Sequence, residues 1–214
     1  MILSRGRQYI FIHIPKTGGT SLALALEGKA MADDIMLGDT PKARKRRGRV
    51  KGVKTSGRLW KHARLSDLYG LVDQAEMEAF FVFTLVRNPW DQVVSYYHWL
   101  KEQRFDHPAV AAAKALGFSE FLADPGTQAA FANDRAAAYV SDGNGVDRCN
   151  LYLRLEHLAQ DVAKLEAALD IKLGAIPHEN KSVRGAYRDY YSDQDAALIG
   201  QNFAEDVKRF GYSF

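Results

Sequence analysis

Two apolar runs, each followed by a short turn and a helix-like segment, form the clearest pattern along the chain. Residues 9–14 are aromatic or β-branched except for His13, which is typical of a strand buried on both faces of a parallel sheet. Residues 80–86 form a second run of this kind. Pro89 suits the first position of the helix that follows, and Asp91 suits its first turn. The pattern therefore predicts two strand–turn–helix units.

The remaining periodicity predicts further alternation of strands and helices. Such alternation is typical of an α/β fold with a parallel, doubly wound sheet flanked by helices. At 214 residues the chain can bury a substantial core, and we expect one domain over 1–214. It would include a basic loop at about 40–58 and a helical region at about 105–145. We also expect a strand at 148–155 and helices at about 66–78, 108–116, 156–169 and 192–209.

The first turn has the chemistry of an anion site. Gly18 and Gly19 let the backbone come close to a ligand, and Thr20 and Ser21 can cap the helix that follows. The N–H groups and positive dipole end of that helix attract anions, to which Lys16 adds a mobile charge. The alternative is an ordinary turn whose glycines only relieve strain. The Lys precedes the glycines, so this is not a Walker A loop.

The second turn supplies a matching basic residue. Arg87 follows directly after the second apolar run, at the carboxyl end of a strand, where open α/β sheets bind ligands. Ser95 lies two helical turns further on. A guanidinium binds phosphate oxygens through two hydrogen bonds, and a hydroxyl adds another donor. The alternative is that Arg87 is a surface residue that only pairs with Asp91, and that Ser95 has no function in its helix.

Composition narrows the function classes. A single cysteine, Cys149, excludes a disulfide within the chain and offers no metal cluster. The formal net charge is only +3, but basic residues are concentrated at 41–54. That stretch is either a solvated loop or a contact surface for an anionic acceptor, phospholipid head groups or, least favoured, nucleic acid. The first strand begins within ten residues of Met1, so we expect neither a signal peptide nor a membrane anchor.

Together the two turns resemble the sulfotransferases that use 3′-phosphoadenosine 5′-phosphosulfate (PAPS), particularly the carbohydrate-modifying branch. In that family, a P-loop-like turn binds the 5′-phosphosulfate, and an RNPxxxxxSxY-like stretch binds the 3′-phosphate. A weaker likeness, around Lys61, places His62 where the family has its histidine base. The matching residues are Pro15, Lys16, Thr17, Gly18, Gly19, Thr20 and Ser21 in the first turn, and Arg87, Asn88, Pro89, Ser95 and Tyr96 in the second.

The resemblance implies a sulfotransferase that moves a sulfuryl group from PAPS to a hydroxyl, releasing adenosine 3′,5′-bisphosphate (PAP), without a metal. Lys16 would stabilise the leaving phosphate and His62 would act as base, with His13 as its rival. Lys181, Ser182 and Arg184 form a basic and hydroxyl group that could close over the 3′-phosphate, although the family's usual RKG-like element is absent. A saccharide or glycolipid is the expected acceptor.

Two other function classes stay open on the residues alone. A nucleotide kinase or other P-loop phosphotransferase also uses a strand–loop–helix phosphate site, but the Walker A order and an acidic strand end for Mg²⁺ are missing. A noncatalytic module that binds nucleotide or polyanion is the other class. The resemblance and the short N-terminal segment together lead us to expect a soluble, bacterial-type enzyme in the cytoplasm, with a Golgi lumen location only if the chain is trimmed. Peripheral membrane contact through the basic stretch is a further possibility.

Overall fold

The computed structural model describes residues 1–177 and 184–214. Within them no helix is both long and apolar enough to cross a membrane. The strands are β1 (Ile2–Ser4), β2 (Tyr9–Ile12), β3 (Ile35–Met36), β4 (Phe81–Val86) and β5 (Cys149–Arg154). The helices are α1 (Gly19–Gly28), α2 (Pro41–Arg46), α3 (Gln74–Ala79), α4 (Pro89–Glu102), α5 (Pro108–Ala115), α6 (Phe118–Ala123), α7 (Pro125–Ala132), α8 (Ala136–Val140), α9 (Leu158–Leu169), α10 (Asp193–Asn202) and α11 (Ala204–Phe210). Short 3-10 turns lie at Arg47–Val50, Leu65–Leu68, Leu155–His157 and Tyr187–Tyr190.

The described residues divide into two compact units. Unit 1 contains residues 1–86 and 136–177, and unit 2 contains residues 87–135 and 184–214. Unit 1 holds the sheet, and unit 2 is built from helices. The single domain over 1–214 stays a prediction.

The sheet of unit 1 has five strands in the order β3-β1-β2-β4-β5. β2, β4 and β5 pair in parallel, as the apolar runs predict. The other two strands differ from the expected parallel sheet, because β1 pairs antiparallel with both β2 and β3. A tight turn causes this reversal: Gln8 N–H donates to the Arg5 carbonyl oxygen at 3.2 Å, and Gln8 adopts a left-handed φ of 53°.

The core of unit 1 lies between the sheet and two helices. Phe11 and Phe83, on neighbouring strands, stack with centroids 5.4 Å apart and are fully buried. Leu26 of α1 and Leu165 of α9 join the same apolar cluster. Burying a large apolar side chain contributes roughly 1.5–3 kcal/mol, so this cluster fixes where α1 begins relative to the end of β2.

Helix α4 organises unit 2. It begins as the sequence predicts: Pro89 is its first residue, and the Asn88 side chain accepts a hydrogen bond from Trp90 N–H at 3.1 Å. This cap satisfies one of the donors that a helix N-terminus leaves open. The buried face of α4 then packs into an apolar cluster that includes Trp90, Tyr97 and Phe203. The start of α4 is therefore held rigidly in unit 2.

The basic stretch is more ordered than the loop we expected at about 40–58. It begins with α2, for which Pro41 follows the extended residue Thr40, and continues into the 3-10 turn Arg47–Val50. Lys42 donates to the Glu27 carbonyl oxygen at 2.7 Å, and Arg49 donates to that of Asp34 at 2.7 Å. These contacts with main-chain acceptors hold a segment whose own charges repel one another.

Candidate active site

The turn after β2 is folded on itself. Thr17, which is 1% exposed, donates its hydroxyl to the Ile14 carbonyl oxygen at 2.9 Å. Lys16 has a φ of 62° and Gly18 a φ of 86°, both in the left-handed region. A lysine in that region costs about 1–3 kcal/mol, and strain of this kind is concentrated at functional sites. The turn therefore holds Lys16 in one definite backbone conformation.

Close packing explains the two glycines. A Cβ at Gly18 would lie 2.8 Å from Cδ1 of Leu155. A Cβ at Gly19 would overlap the imidazole ring of His13. Contacts within the protein therefore leave no space for a side chain at either glycine, whether or not a ligand is bound.

Helix α1 starts two residues earlier than capping by Thr20 would require and three earlier than capping by Ser21 would, so the expected capping role is wrong. Gly18 is the N-cap and has no side chain to accept a hydrogen bond. Thr20 and Ser21 instead occupy the first helical turn, and Ser21 N–H donates to the Gly18 carbonyl oxygen at 3.1 Å. Their hydroxyls remain beside the positive end of the helix dipole. The turn keeps the features of an anion site without side-chain capping.

The two histidines that competed for the role of base lie together. Nδ1 of His62 is 2.7 Å from the main-chain carbonyl oxygen of His13, and the two rings meet edge to face with centroids 4.7 Å apart. A carbonyl oxygen can only accept, so Nδ1 of His62 carries the proton. In the neutral ring Nε2 then holds the lone pair. This is the tautomer that can take a proton from a substrate hydroxyl.

Burial keeps both imidazoles neutral. It lowers the pKa of His62 to about 4, with the nearby Lys61 ammonium adding to the effect, while the hydrogen bond to His13 opposes it. Burial also lowers the pKa of His13, which is 4% exposed, well below the ordinary histidine value. Of the two, His13 is the more enclosed, and its ring packs on Gly19. The main chain of His13 therefore orients the His62 ring.

An aromatic side chain stands beside His62. Trp60 is 43% exposed, and its ring meets that of His62 edge to face at 5.1 Å. The Arg58 guanidinium lies over the same indole, 5.4 Å from the ring centroid. The sequence reasoning missed Trp60, although its place two residues before His62 is a signal that could have drawn attention to it. An exposed indole of this kind provides a flat apolar surface for a ligand.

Unit 1 also has an open depression next to α1. It is shallow, with only about 10 Å³ of space that a water molecule could occupy. Its polar lining includes Thr20, His13, Asp39 and Lys61, and the last two form an ion pair at 3.0 Å. The first turn of α1 therefore borders a concave surface that carries charged groups.

In unit 2, Arg87 forms part of an ion-pair cluster. Its Nε and Nη2 donate to Oδ2 of Asp91 at 2.8 and 2.6 Å. The Arg184 guanidinium donates to Oδ1 of the same carboxylate. Ser95, which lies one turn of α4 after Asp91, is 8% exposed. The sequence suggested pairing with Asp91 only as an alternative to phosphate binding; the structure shows the pair together with a second arginine.

The other predicted contacts to the 3′-phosphate cannot be placed. Lys181 and Ser182 lie outside the described residues, so of that group only Arg184 has a position. Within the ranges 1–177 and 184–214, no group of three or more His, Cys, Asp or Glu side chains could hold a metal ion.

Comparison with known proteins identifies the family. The model of the sulfotransferase family matches residues 1–213. The chain belongs to the sulfotransferase family. Among solved structures, this sulfotransferase is similar to mouse sulfotransferase SULT7A1 complexed with PAP, at 14% identity and a TM-score of 0.54. The match covers 92% of this chain and 83% of the mouse chain, and at that identity it shows the fold. A comparison of this chain with curated proteins found no match.

Family membership confirms the expected α/β sulfotransferase fold. It does not assign roles to individual side chains. The roles of Lys16 and His62 and the identity of the acceptor are therefore still predictions.

Proposed function

We propose that this sulfotransferase moves a sulfuryl group from PAPS to a hydroxyl of a carbohydrate. One observation carries the proposal: the His13 ring packs on Gly19 at the start of α1, and the His13 carbonyl oxygen orients His62. His13 thus contacts both the N-terminus of α1, which suits an anion, and the imidazole that would accept the proton. Family membership supports sulfuryl transfer over the kinase and noncatalytic alternatives.

The residues present suit the two phosphate-bearing ends of PAPS. In unit 1, the turn from Pro15 to Gly19, with Thr20 and Ser21, would bind the 5′-phosphosulfate through N–H groups and hydroxyls. In unit 2, Arg87, Ser95 and Arg184 would bind the 3′-phosphate, for which guanidinium groups have the right shape and charge. Lys181 and Ser182 stay predictions. That the mouse relative is complexed with PAP supports the same nucleotide here.

The chemistry divides between two side chains. As the bond between sulfur and the bridging phosphate oxygen breaks, negative charge gathers on that oxygen, and the Lys16 ammonium would neutralise it. The acceptor oxygen forms the new bond to sulfur, and its proton passes to Nε2 of His62. The sulfuryl group moves in line between two oxygens, as in phosphoryl transfer. No metal takes part in these steps, and the absence of a metal requirement stays a prediction.

Trp60 supports a saccharide acceptor. Its exposed indole lies beside the proposed base, and the apolar C–H face of a sugar ring can pack on such a surface while the hydroxyls point to polar groups. The depression lined by Asp39 and Lys61 offers a donor and an acceptor of the kind that sugar hydroxyls use. A cytoplasmic location, a helical acceptor-binding region at about 105–145 and membrane contact through the basic stretch stay predictions.

Calorimetric titration tests the nucleotide assignment. We expect wild type to bind PAP at least tenfold more tightly than AMP or ATP, because only PAP carries both a 5′- and a 3′-phosphate. Arg87→Ala should remove this preference. Arg104→Ala is the matched control, since Arg104 is exposed in the same unit and should leave binding unchanged. A wild type that binds AMP as tightly as PAP would contradict the proposal.

A further inference from the structure

One carboxylate in unit 2 holds both arginines proposed to bind the 3′-phosphate. Asp91 accepts from Arg87 through Oδ2 and from Arg184 through Oδ1. The first pair is an i,i+4 contact at the start of α4, and the second joins residues 93 positions apart. Each oxygen of the carboxylate thus serves a different arginine.

The cluster is largely shielded from solvent. The side chains of Arg184, Arg87 and Asp91 are 8%, 15% and 22% exposed. In such an environment two guanidinium groups repel each other more strongly than in water. With Asp91 between them, the cluster keeps a net positive charge while the repulsion is offset. A preorganised cationic site of this kind gains affinity because its donors need no further ordering.

Two titratable side chains packed beside the cluster, His98 and Tyr191, are held in their neutral forms. Burial, together with the positive charge of Arg184, lowers the pKa of His98, so its ring is neutral at pH 7. Burial, followed by the charge of Asp91, raises the pKa of Tyr191. The Tyr191 hydroxyl donates to the Trp90 carbonyl oxygen at 2.8 Å. Asp91 is therefore a charged partner that both arginines share.

We propose that Asp91 is the positioning residue of the 3′-phosphate site, which orients Arg87 and Arg184 toward the phosphate without contacting the nucleotide. This inference rests on the proposed function. Arg87 and Arg184 come from distant parts of the chain, and the shared contact with Asp91 brings their guanidinium groups together. It also explains how Arg184 can serve in the absence of the family's usual RKG-like element.

Whether removal of Asp91 strengthens or weakens PAP binding distinguishes a positioning role from a purely electrostatic effect of its charge. A carboxylate close to a phosphate is repulsive, so if charge alone mattered, removing Asp91 would tighten PAP binding. If Asp91 positions the arginines, removing it weakens binding, because misplacement by about 1 Å can cost up to about 100-fold. AMP lacks the 3′-phosphate, so its affinity reports everything else in the nucleotide site.

The experiment compares PAP and AMP binding by calorimetry for wild type, Asp91→Ala and Asp91→Asn. We expect the affinity ratio of PAP to AMP to fall about tenfold or more in Asp91→Ala, with AMP affinity unchanged. Asp91→Asn keeps the shape of the side chain but has only one oxygen to accept hydrogen bonds. Its affinity ratio of PAP to AMP should therefore lie between those of wild type and Asp91→Ala. It also serves if the alanine variant folds poorly, which thermal unfolding will show.

Each outcome decides one question. A wild type without a preference for PAP contradicts the proposed function and, with it, this inference. A wild type that prefers PAP, with variants whose ratio is unchanged or higher, overturns the positioning role alone. A parallel loss of PAP and AMP affinity also overturns it, because a merely structural role would move both.

Discussion

Nδ1 of His62 donates a hydrogen bond to the main-chain carbonyl oxygen of His13 at 2.7 Å, across 49 residues of sequence. The bond fixes both the tautomer and the direction of the His62 ring. Because the acceptor is a main-chain atom, the contact survives any substitution of the His13 side chain that leaves the backbone in place. The base of the proposed reaction is therefore oriented by the strand end itself.

Replacement of His62 tests the proton-transfer role. We expect His62→Ala to lower the rate of sulfuryl transfer by about 10²–10⁴-fold, with PAP affinity within about twofold of wild type. The measurement is transfer of radiolabelled sulfate from PAPS to a saccharide acceptor found by screening. His157→Ala is the control, since His157 is exposed in the same unit. Full activity in His62→Ala would remove its assigned role.

The pH dependence follows from the buried position of His62. Burial lowers its pKa from 6.5 to about 4, so the imidazole of the free enzyme stays neutral at every pH well above 4. We expect kcat/KM to show no fall from pH 7 to 5.5 and to decrease below about pH 5. An inflection near 6.5 that disappears in His62→Ala would contradict the buried, neutral ring.

The same shift affects stability. In the unfolded chain His13 and His62 bind protons near pH 6.5, whereas in the folded chain their pKa values lie lower. Their contribution is complete above pH 6.5 and is lost as the pH falls toward 4, because the unfolded state then binds more protons. Urea unfolding at several pH values will measure this. His62→Ala should show a smaller decrease over this window than wild type.

Lys16 is expected to act on the rate more than on binding. Lys16→Ala removes the charge that neutralises the leaving oxygen, so we expect kcat to fall by about 10²–10³-fold, the size seen when one oxyanion donor is lost. Lys29→Ala removes an exposed charge at the opposite end of α1 and is the control. Equal kcat in the Lys16 and Lys29 variants would rule out the proposed role.

The glycines of α1 allow a matched comparison. Gly19→Ala places a methyl group against the His13 ring, and we expect it to lower the free energy of unfolding by about 1–3 kcal/mol and to weaken PAP binding. Gly28→Ala, where the methyl group meets open space, should raise the free energy of unfolding by about 0.5–1 kcal/mol. Chemical denaturation measures both. If the two variants behave alike, packing on His13 does not explain Gly19.

Trp60 is expected to affect the acceptor alone. Trp60→Ala removes the exposed indole beside His62, so we expect the KM for a saccharide acceptor to rise about tenfold, which corresponds to about 1.4 kcal/mol of lost binding. The KM for PAPS should stay the same. Trp99→Ala, an exposed tryptophan of unit 2, is the control. A change in the KM for PAPS would place Trp60 on the nucleotide side.

Much of the fold could be predicted because its central elements are long and regular. The runs that became β2, β4 and β5 are apolar, and α4 starts at the predicted proline. β1 and β3 have three and two residues, too few for any period to show. The predicted helix at 192–209 is two helices, since the chain leaves the α10 axis at Phe203, which buries its ring against Phe131.

The start of α3 differs from the predicted one because a different residue caps the helix. Ser66 was expected to begin a helix, but it lies in a 3-10 turn. The helix begins instead after Asp73, whose side chain accepts from Glu76 N–H at 2.8 Å. Both residues are good caps, and only the surrounding tertiary contacts decide between them.

The site was predictable where it is local in sequence. The turn with Lys16 and the start of α4 with Arg87 each carry their chemistry within a few residues. The bond from His62 to His13 and the bridge from Arg184 to Asp91 join distant segments, and a single sequence has no pattern that records such pairs. The sequence therefore pointed to His13 and Asp91 themselves, as a rival base and as a partner of Arg87, but not to their links with His62 and Arg184.

The double contact of His13 sets the order in which the site can be redesigned. Its ring fills the space over Gly19 and its main-chain oxygen accepts from His62, so a change there that shifts the backbone would disturb the phosphate turn and the base together. Trp60 touches the base from the solvent side and has no such double role. Engineering of a new acceptor preference should therefore start from position 60 and leave position 13 as it is.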